Sequence, residues 1–581
     1  MAVDKYRVAA VFRGIADILE IKGENPFRIR AYQRAAQNIE SLTEDLADLM
    51  QRGELERVPG IGKDLAKKIV EILTTGQLRY YEELKKEVPP GLVELLAVPG
   101  VGPRTARLLY DQMNVTSIDE LERLAREGRL RGLPGIKAKT EENILKGIAL
   151  VRQGTARRPL GLVLPLVEYI VAYLQERAPV ERLSPAGSVR RRCETVGDVD
   201  LLVVSSAPAR VMEVFTTMPL VREVLARGST KASVRTTDGL QVDVRVVERE
   251  SFGAALCYFT GSKAHNIRVR ELAVRKGLKI NEYGVFRHEE PIAGREEEEV
   301  YAAVGLPWIP PELREDRGEI EAAQAGRLPR LVERTELRGD LHVHSRYSDG
   351  SGTLEEIAAR ARQLGLEWVA VCDHSRSLKV GGGLEIEELL AKVQAIREFN
   401  ERSPDVKLLC GAEVDIDGRG GLDYPDEILA QLDIVVASIH SGFKQGEAAL
   451  TARTIAAMEN PYVDLIGHPT GRLFGEREAY PLDMTAVLDA AARTGTALEI
   501  NAYPKRLDLN DVYSRAAAQK GVLLGIGSDA HLVDQMDYLA LGLDVARRGW
   551  LTPRDLLNTM TYEELKAWLA ARRRGRSGTY S

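Results

Sequence analysis

The pattern of apolar and polar residues changes twice before residue 340. Residues 1–155 show helical periodicity interrupted by glycine turns, with few β-branched runs, and this pattern predicts an all-α region. From about 160 to 310, a helix near Leu164–Arg177 precedes strand-like apolar runs, which predicts an α+β unit. The charged stretch Glu312–Arg338 shows no strand pattern and predicts an interdomain linker with some helix. The predicted strands of the α+β unit lie at Asp200–Val204, Gln241–Val247 and Ala254–Phe259.

Beyond Gly339 the chain repeats an apolar strand followed by an amphipathic helix. The repeat is about 30 residues long, which is the length of a βα unit. Seven such units and a closing helix predict a distorted (β/α)7 barrel of the TIM type. The predicted strands lie at 340–343, 368–372, 407–412, 433–439, 463–466, 497–500 and 522–526.

Six of the eight histidines lie in this repeat, between Leu341 and Leu532. They stand near carboxylates in short motifs such as Asp340-Leu-His342-Val-His344 and Ser528-Asp529-Ala-His531, close to the carboxyl ends of the predicted strands. Barrel enzymes assemble their sites at those strand ends. Neutral imidazole and carboxylate together suit Zn²⁺ and Mn²⁺, which lower the pKa of a bound water. The pattern therefore predicts a site for several metal ions.

Composition and charge are those of a globular protein with an uneven charge distribution. Of the 581 residues, 29% are charged and 44% are apolar, which is an ordinary balance for a folded protein of several domains. Residues 1–330 carry 51 Lys or Arg and 48 Asp or Glu, whereas residues 331–581 carry 29 and 38. The basic front half permits a phosphate backbone as partner, and the acidic back half fits a carboxylate-rich metal site.

The cysteines and the apolar runs exclude several classes of protein. The four cysteines form no CxxC pair, which argues against a disulfide framework and against a thiolate zinc site. The sequence has no uncharged apolar run of about 18 residues and no secretory signal at its start. We therefore expect a cytoplasmic protein with reduced cysteines.

A glycine turn between helices occurs twice in the front region. Val58-Pro-Gly60-Ile-Gly62 is repeated forty residues later as Val98-Pro-Gly100-Val-Gly102, and Leu133-Pro-Gly135 begins a degenerate third copy. Both full copies resemble helix-hairpin-helix DNA-binding motifs, which implies that Gly60, Gly62, Gly100 and Gly102 lie against DNA. Such glycines leave backbone N–H groups at a helix start free for a phosphate oxygen. The alternative is a pair of simple helical hairpins with glycine caps.

The first copy has a wider resemblance to the lyase domain of DNA polymerase beta. Asn25-Pro-Phe-Arg28 stands upstream, and Lys67-Lys68 stands downstream. The resemblance puts Lys68 at the position of the family's Schiff-base lysine, and neighbouring cations such as Lys67 favour a nucleophilic amine. Phe27 and Asp64 depart from the animal enzyme. The alternative roles for Lys68 are a contact with the DNA backbone and a solvated charge.

Three aspartates and a glycine-serine turn carry a second chemical signal. Ala186-Gly187-Ser188-Val-Arg190-Arg191 is followed by Gly197-Asp198-Val-Asp200, and Gln241-Val-Asp243 supplies a third carboxylate. Residues two apart in a strand share a face, so Asp198 and Asp200 project into one site. The pieces resemble the GS…GDxD signature of nucleotidyltransferases, in which three carboxylates hold two Mg²⁺ or Mn²⁺ ions. A surface turn with exposed acids is the alternative.

One further segment narrows the resemblance to a single family. Its sequence is Tyr258-Phe259-Thr-Gly261-Ser262-Lys263-Ala-His-Asn266. It resembles the YFTGS segment of family X DNA polymerases, where the aromatic pair and the turn line the sugar pocket. Lys263 departs from the animal pattern, and Gln241 replaces an arginine. The minor-groove edge that Asn266 is expected to contact differs little between bases, which suits a template-directed enzyme. The resemblance implies a nucleotide site formed by Gly187, Ser188, Arg191, Gly197, Tyr258, Phe259, Gly261, Ser262, Lys263 and Asn266.

The back half resembles the polymerase and histidinol phosphatase (PHP) domain, a metal-dependent phosphoesterase family. The resemblance implies up to three ions, Zn²⁺, Mn²⁺ or both, and a 3′–5′ exonuclease, an endonuclease at abasic sites or a 3′-end phosphatase. Asp340, Asp373, Ser438 and Asn501 are expected to orient the ligands. The expected ligands are His342, His344, Asp349, His374, Glu413, His440, His468, Asp529 and His531.

Together these motifs resemble a bacterial family X DNA polymerase with a C-terminal PHP domain. The resemblance implies repair of short DNA gaps with dNTP as substrate, by a chain that we expect to be monomeric. It also implies a division of the chain into six parts. These are a lyase-like helical domain (1–80), a helix-hairpin-helix fingers subdomain (81–155), a nucleotidyltransferase palm (156–250), a thumb (251–317), a linker (318–338) and the PHP barrel (339–581).

Two other functions remain open at this stage. A template-independent nucleotidyltransferase fused to a phosphatase would use the same two metal centres, although the paired helix-hairpin-helix motifs and Asn266 argue against it. The other is a DNA-end scaffold whose metal barrel is only structural. The filled positions in both centres argue against this scaffold.

Overall fold

The computed structural model describes residues 5–41, 46–58, 60–96, 98, 100–152, 157–403 and 405–577. The chain divides into two compact units, with the boundary between Arg157 and Arg158. Within the described ranges, no helix combines the length and the apolar character that crossing a bilayer requires. All four cysteines are unpaired, as predicted.

The first unit is all helical, which confirms the predicted class of this region. Its apolar side chains form two separate cores, one between Val8 and Leu92 and the other between Leu95 and Ile148. Each core is built from amphipathic helices, of which Lys63–Thr75 ends at the left-handed Gly76. The helices are Lys5–Lys22, Pro26–Ser41, Leu46–Gln51, Lys63–Thr75, Arg79–Lys86, Pro90–Leu95, Pro103–Met113, Ile118–Arg126 and Ala138–Arg152.

The second unit begins with a five-stranded sheet. The long helix Leu160–Arg177 packs on it, which agrees with the predicted helix near Leu164. The two strands that carry the aspartates are central and parallel, and the remaining strand pairs are antiparallel. In spatial order the strands are Arg182–Pro185, Asp198–Val204, Gln241–Val246, Lys231–Thr236 and Val221–Arg227, and a helix spans Pro208–Thr216.

The predicted strand Ala254–Phe259 is wrong, because this segment lies within the helix Phe252–Thr260. The run is apolar throughout, so it shows neither the alternation of a half-buried strand nor the polar face of a surface helix. The helix is buried on nearly all sides, and the backbone of Glu296 leaves no space for a side chain at Gly253. A short apolar run of this kind is compatible with either structure until its neighbours are known.

The following residues form helices around a small antiparallel sheet. The segment Glu312–Arg338 contains the helix Glu319–Gln324 and buries Leu313 and Ile320 in the core of this sheet, and Val332 in the core of the barrel. This segment therefore packs against both the small sheet and the barrel. The helices of this part are Lys263–Arg275 and Glu297–Val304, and the strands are Leu278–Asn281, Gly284–Arg287 and Glu290–Ala293.

The rest of the chain forms a seven-stranded parallel sheet that is nearly closed, which confirms the predicted TIM-like barrel. The last strand returns to the first through a parallel bridge between Val343 and Ala530. The strands are buried on both faces, as in parallel sheets covered by helices. In order they are Gly339–Val343, Trp368–His374, Lys407–Asp415, Ile434–Ser438, Leu465–Ile466, Ala497–Asn501 and Leu524–Gly527.

Helices alternate with these strands, and the sequence marks several of their starts. Thr353 and Glu356 form a reciprocal capping box at the first of them. The helices are Leu354–Gln363, Ile386–Arg402, Asp426–Leu429, Glu447–Glu459, Met484–Thr494, Asp511–Gln519, Leu539–Arg548 and Tyr562–Ser577.

The last helix closes the end of the barrel that is opposite to the histidines. Leu565 and Leu569 pack there against Trp368. Asp464, which is fully buried, accepts hydrogen bonds from Arg572 Nε at 3.1 Å and from Arg573 Nη2 at 2.6 Å. One buried carboxylate thus holds two cationic side chains of the closing helix.

We expect Asp464→Asn to lower the free energy of unfolding by about 3–5 kcal/mol, because it leaves two arginines without their buried counter-ion. Urea denaturation followed by circular dichroism measures the change. Asp489→Asn is the matched control, since Asp489 pairs with Lys520 at the surface, where an ion pair contributes little. Equal losses in the two variants would contradict the interpretation.

Candidate metal centres

The nine predicted barrel ligands lie together at the carboxyl ends of the strands. His342 and Glu413 lie within strands, and His374 ends one. His440, His468 and Asp529 each follow a strand end by two residues. Parallel strands bring these ends to one rim of the barrel. The remaining ligands, His344, Asp349 and His531, follow the first and last strands.

Glu413 is the carboxylate around which most of the histidines gather. Its Oε2 lies 2.8 Å from His374 Nδ1, and its Oε1 lies 3.2 Å from His440 Nε2 and 2.9 Å from His468 Nε2. It is almost fully buried. Both carboxylate oxygens therefore face imidazole nitrogens.

Two further groups of ligands surround this carboxylate. His342 and His344 present Nε2 atoms 3.2 Å apart, and Asp529 Oδ1 lies 3.2 Å from His344 Nε2. Asp349 faces His374 at 3.6 Å and His531 at 3.4 Å. Three sets of ligand atoms have all members within 4.8 Å of one another: His344, Asp349, His374 and His531; His342, His344 and Asp529; His374, Glu413 and His440.

Three of the four residues predicted to orient the ligands hydrogen-bond to a predicted ligand or to the backbone next to one. Asp340 Oδ1 accepts the backbone N–H groups of His342 and Ser528 at 3.1 and 3.0 Å. Asn501 donates to Asp529 at 3.1 Å. Ser438 Oγ, in contrast, is buried without a hydrogen-bond partner.

Asp373 fixes the loop that carries the ligand Asp349. It accepts hydrogen bonds from the backbone N–H groups of Ser345 and Ser348 at 2.9 and 3.2 Å. Lys392 Nζ lies 2.7 Å from Asp373 Oδ2 and also donates hydrogen bonds to two strand carbonyls. The buried Asp373–Lys392 ion pair thus connects the loop that contains Asp349 to the strands of the barrel.

Sequence reasoning missed three charged residues of this centre. Glu499 Oε1 lies 2.7 Å from His342 Nδ1, Asp415 contacts His440 Nδ1, and Arg506 Nε lies 3.4 Å from Asp529. Asp415 follows Glu413 by two residues in one strand, so the alternation of a strand puts both side chains on one face. The same rule applied to Asp198 and Asp200 would have found it.

Burial and neighbouring charges divide the histidines into two classes. Burial favours a neutral ring, but the charges of Glu413 and Asp349 raise the pKa of His374 to about 10. At His468, burial and the charge of Arg506 lower the pKa to about 3. The carboxylates thus draw positive charge into the cluster, and the neutral rings keep lone pairs available.

The donor set fits divalent transition-metal ions. The Nδ1 atoms of His344 and His468 are buried and have no hydrogen-bond partner, which is costly for a polar atom unless a cation takes its lone pair. Imidazole nitrogen and carboxylate oxygen are the ligands that Zn²⁺ and Mn²⁺ accept together. The three sets of ligand atoms thus fit more than one ion.

The three predicted aspartates of the first sheet lie at the same ends of the two central strands. Asp200 and Asp243 are register partners, and Asp198 stands two residues before Asp200. Burial and the charges of the other two carboxylates raise the pKa of Asp200 to about 6. Unlike the three sets of barrel ligands, these aspartates form no group whose ligand atoms all lie within 4.8 Å of one another. The repulsion among them fits a site that cations would neutralise.

The glycine-serine turn lies beside these carboxylates. Gly187 has φ +60°, and a side chain there would come within 3.2 Å of Asp200 Oδ2. Arg191 Nη1 donates to the carbonyl of Thr260, and a Cβ at Gly261 would lie 3.2 Å from this nitrogen. Both glycines therefore keep backbone close to the aspartates and to the predicted phosphate-binding arginine.

The remaining residues of the predicted nucleotide site lie on two neighbouring helices, in the turn between them, and directly before a strand. Tyr258 and Phe259 pack edge to face near the end of one helix, and Asn266 donates to the Tyr258 carbonyl at 2.8 Å. Ser262 caps the next helix, whose first residue is the exposed Lys263. Gly197 precedes the strand that carries the first two aspartates. Tyr258, Phe259 and Asn266 are thus joined by direct contacts across the turn between the two helices.

In the first unit, each predicted glycine turn leads directly into a helix. Gly62 caps Lys63–Thr75 and Gly102 caps Pro103–Met113, both in extended conformation with open space around their Cα atoms. Gly60 and Gly100 have φ +76° and +90°. The first turn of each helix has backbone N–H groups without an intrahelical partner, which is the arrangement that binds phosphate.

Lys68 lies on the first of these helices. It forms an ion pair with Asp64 one turn earlier, and its Nζ lies 5.6 Å from the centre of the Tyr80 ring. The lysine is therefore engaged by a carboxylate and an aromatic face. Its role as a lyase nucleophile remains a prediction.

Family models match four segments of the chain. A helix-hairpin-helix domain matches residues 4–78, and a SAM-like helix-hairpin-helix tandem matches residues 92–149. The DNA polymerase beta thumb matches residues 255–315, and the PHP domain matches residues 340–503. The matches coincide with the glycine turns, with the YFTGS segment and with most of the barrel rim.

Whole-chain similarity extends these matches. A DNA polymerase/3′-5′ exonuclease PolX of Bacillus subtilis (strain 168) is 38% identical over 569 residues, covering 97% of this chain and 99% of the relative. A probable phosphatase of Syntrophotalea carbinolica is 33% identical over 229 residues, which cover 38% of this chain and 90% of the relative. Taken with the two carboxylate centres, this similarity shows that the chain belongs to the family X DNA polymerases that carry a PHP domain.

Proposed function

We propose that this protein is a DNA-directed DNA polymerase that fills short gaps during DNA repair and trims DNA ends with its barrel. The observation that carries the proposal is the presence of two separate acidic centres in one chain, each in the motif order of its family. The Bacillus subtilis relative is named for both a polymerase and a 3′–5′ exonuclease activity, which supports the same pairing here.

In the polymerase centre, Asp198, Asp200 and Asp243 would hold two Mg²⁺ or Mn²⁺ ions. Bound there, such ions activate a primer 3′-hydroxyl and stabilise the leaving pyrophosphate. The turn at Gly187 and Ser188 would offer a backbone N–H and a hydroxyl to the triphosphate. Arg191 would offer a guanidinium, which suits phosphate oxygens.

Tyr258, Phe259 and Asn266 would position the incoming dNTP. Tyr258 and Phe259 would pack against the sugar and exclude a 2′-hydroxyl, while Asn266 would face the minor-groove edge of the base. That edge differs little between base pairs, so identity is left to the template.

In the barrel, the nine ligands would hold up to three Zn²⁺ or Mn²⁺ ions. Ions of this kind supply Lewis acidity for cleavage of a phosphoester. Glu413 would be a ligand, and Glu499 would hold the ring of His342 in a fixed orientation. Asn501 and Arg506 would do the same for Asp529. A 3′–5′ exonuclease fits this centre, and abasic-site cleavage is the further activity that the family suggests.

The partners follow from these centres. DNA would lie along the helix starts after Gly62 and Gly102, since their N–H groups can contact phosphates without reading sequence. We propose a monomer that acts on gapped or primer-template DNA in the cytoplasm. Template-independent transfer and a purely structural barrel are not supported by the whole-chain similarity.

We expect the two centres to fail independently. Asp198→Ala with Asp200→Ala should lower gap filling by at least about a hundredfold, because two carboxylates for the ions are lost, while exonuclease activity persists. His344→Ala with His440→Ala should do the reverse. Primer extension on gapped DNA and release of 3′ nucleotides measure the two activities.

His288→Ala and Asp238→Asn are the matched controls for these pairs, because both residues lie outside the two centres. They should leave both activities unchanged. Loss of both activities from either double variant would show that the assignment of an activity to each domain is wrong.

We expect Glu499→Gln to lower the affinity of the barrel for its ions by roughly 10–100-fold, since the orienting charge on His342 is lost while the shape is kept. Metal content after dialysis against a weak chelator measures this effect. Glu459→Gln is the control, because Glu459 pairs with Arg493 at the surface. Unchanged metal content in Glu499→Gln would rule out the orienting role.

We expect Gly62→Asp with Gly102→Asp to weaken DNA binding roughly tenfold per site, because a carboxylate replaces a phosphate at each helix start. The fold should persist, since both positions are open and aspartate is a good N-cap. Fluorescence anisotropy with gapped DNA at fixed salt measures the affinity. Gly446→Asp is the matched control, because Gly446 is an open N-cap of a barrel helix.

A further inference from the structure

The segment that follows the glycine-serine turn lies against the barrel. Arg472 reaches both carboxylate oxygens of Glu194, at 3.2 and 2.8 Å. Arg548, at the end of a barrel helix, donates from Nη1 to the Arg191 carbonyl at 2.7 Å. The barrel thus contacts the backbone of the residue that is proposed to bind the triphosphate.

Glu315 stands between two arginines at this contact. Its Oε1 lies 3.0 Å from Arg191 Nε and 3.0 Å from Arg548 Nη1. Burial opposes ionisation, but the charges of Arg191 and Arg548 outweigh it and lower the pKa of Glu315. The carboxylate is therefore anionic at neutral pH, and the polymerase and the barrel each supply one of its counter-ions.

The side chain of Arg191 is engaged without a nucleotide. Its Nε donates to Glu315 and its Nη1 donates to the Thr260 carbonyl. A triphosphate that approaches Arg191 must compete with the carboxylate for the same guanidinium. The strength of this competition depends on whether Glu315 has another cation.

Arg548 is positioned to be that cation. It is largely buried, and its Nη2 donates to Asp511 at 2.8 Å. Since Nη1 donates to Glu315, both ends of the Arg548 guanidinium are held. Asp511 is also bound by Arg317 Nη1 at 2.9 Å. The preceding residue, Arg547, faces Glu312 and Glu333 instead and does not contact Glu315.

We propose that Arg548 of the barrel is a positioning residue for nucleotide binding at the polymerase centre. It neutralises Glu315 and thereby leaves the Arg191 guanidinium available to the triphosphate. The inference rests on the proposed role of Arg191, and it gives the barrel a part in DNA synthesis that is separate from its own metal centre.

Steady-state gap filling with the full-length protein tests the proposal. Arg548→Met should raise the KM for dNTP about tenfold with little change in kcat, because Glu315 then keeps Arg191 as its sole counter-ion. Arg548→Lys, which preserves the charge, should lie near the wild type. Arg547→Met is the matched control, and it should leave KM and exonuclease activity unchanged.

A second substitution separates electrostatic competition from simple loosening of the interface. In the Arg548→Met background, Glu315→Gln should return the KM towards the wild-type value, because the competing charge is removed. A merely structural contact would not be rescued in this way. If Arg548→Met does not fold, Glu315→Gln alone decides, since it should lower the KM below that of the wild type.

An unchanged KM in Arg548→Met, or a KM that stays high after Glu315→Gln, would overturn the inference. Arg191→Met in the same assay tests the underlying assignment separately. If that variant keeps the wild-type KM, the proposed triphosphate site is wrong. If it loses affinity while Arg548→Met does not, only the role of Arg548 fails.

Discussion

Repulsion between carboxylates that are held close together is the constraint on which both centres depend. Parallel strands bring Asp200 and Asp243 side by side and collect Glu413 and Asp529 at one rim. Nothing in a strand or a barrel compensates these charges, so the surrounding side chains must do so. In the barrel, histidines and Arg506 supply the positive charge. In the first sheet, the nearest cation to Asp243 is Lys231 at 3.8 Å, and the repulsion among the aspartates fits a site that added cations would neutralise.

Rigid support of the ligands follows from the same constraint. Mutual repulsion displaces a carboxylate that lies among other negative charges unless a neighbouring group holds its position. Asp373 is held by Lys392, and it in turn holds the loop before Asp349 through two backbone N–H groups. Glu499 and Asp415 fix the rings of His342 and His440 in a similar way. The buried ion pairs therefore keep charges in positions that they would not adopt alone.

Much of this arrangement could be predicted from the sequence, because the periodicity of apolar residues predicts the strands and helices and the spacing of the motifs predicts the site residues. The barrel strands lie within a few residues of their predicted positions, since each is a buried apolar run followed by an amphipathic helix. The predicted strand at Ala254–Phe259 failed because an apolar run without a period fits a buried helix equally well. The antiparallel strands near Leu278 were missed, since they are only four residues long. Glu499 and Arg548 could not be found from motifs, because their roles depend on contacts between residues far apart in the chain.

The contacts between the barrel and the polymerase sheet use the same chain segment as the metal centre. Arg506, which faces Asp529, and Asp511, which holds Arg548, are five residues apart. Asp508, between them, is tied to Asn501 by backbone hydrogen bonds and to the Thr470 N–H by its carboxylate. The segment is thus fixed at Asp508, and it contacts the predicted ligand Asp529 through Arg506 and the partner of Glu315 through Asp511. Because one short segment serves both, the order that the proposed metal ligands require would also position Arg548 beside the proposed nucleotide site.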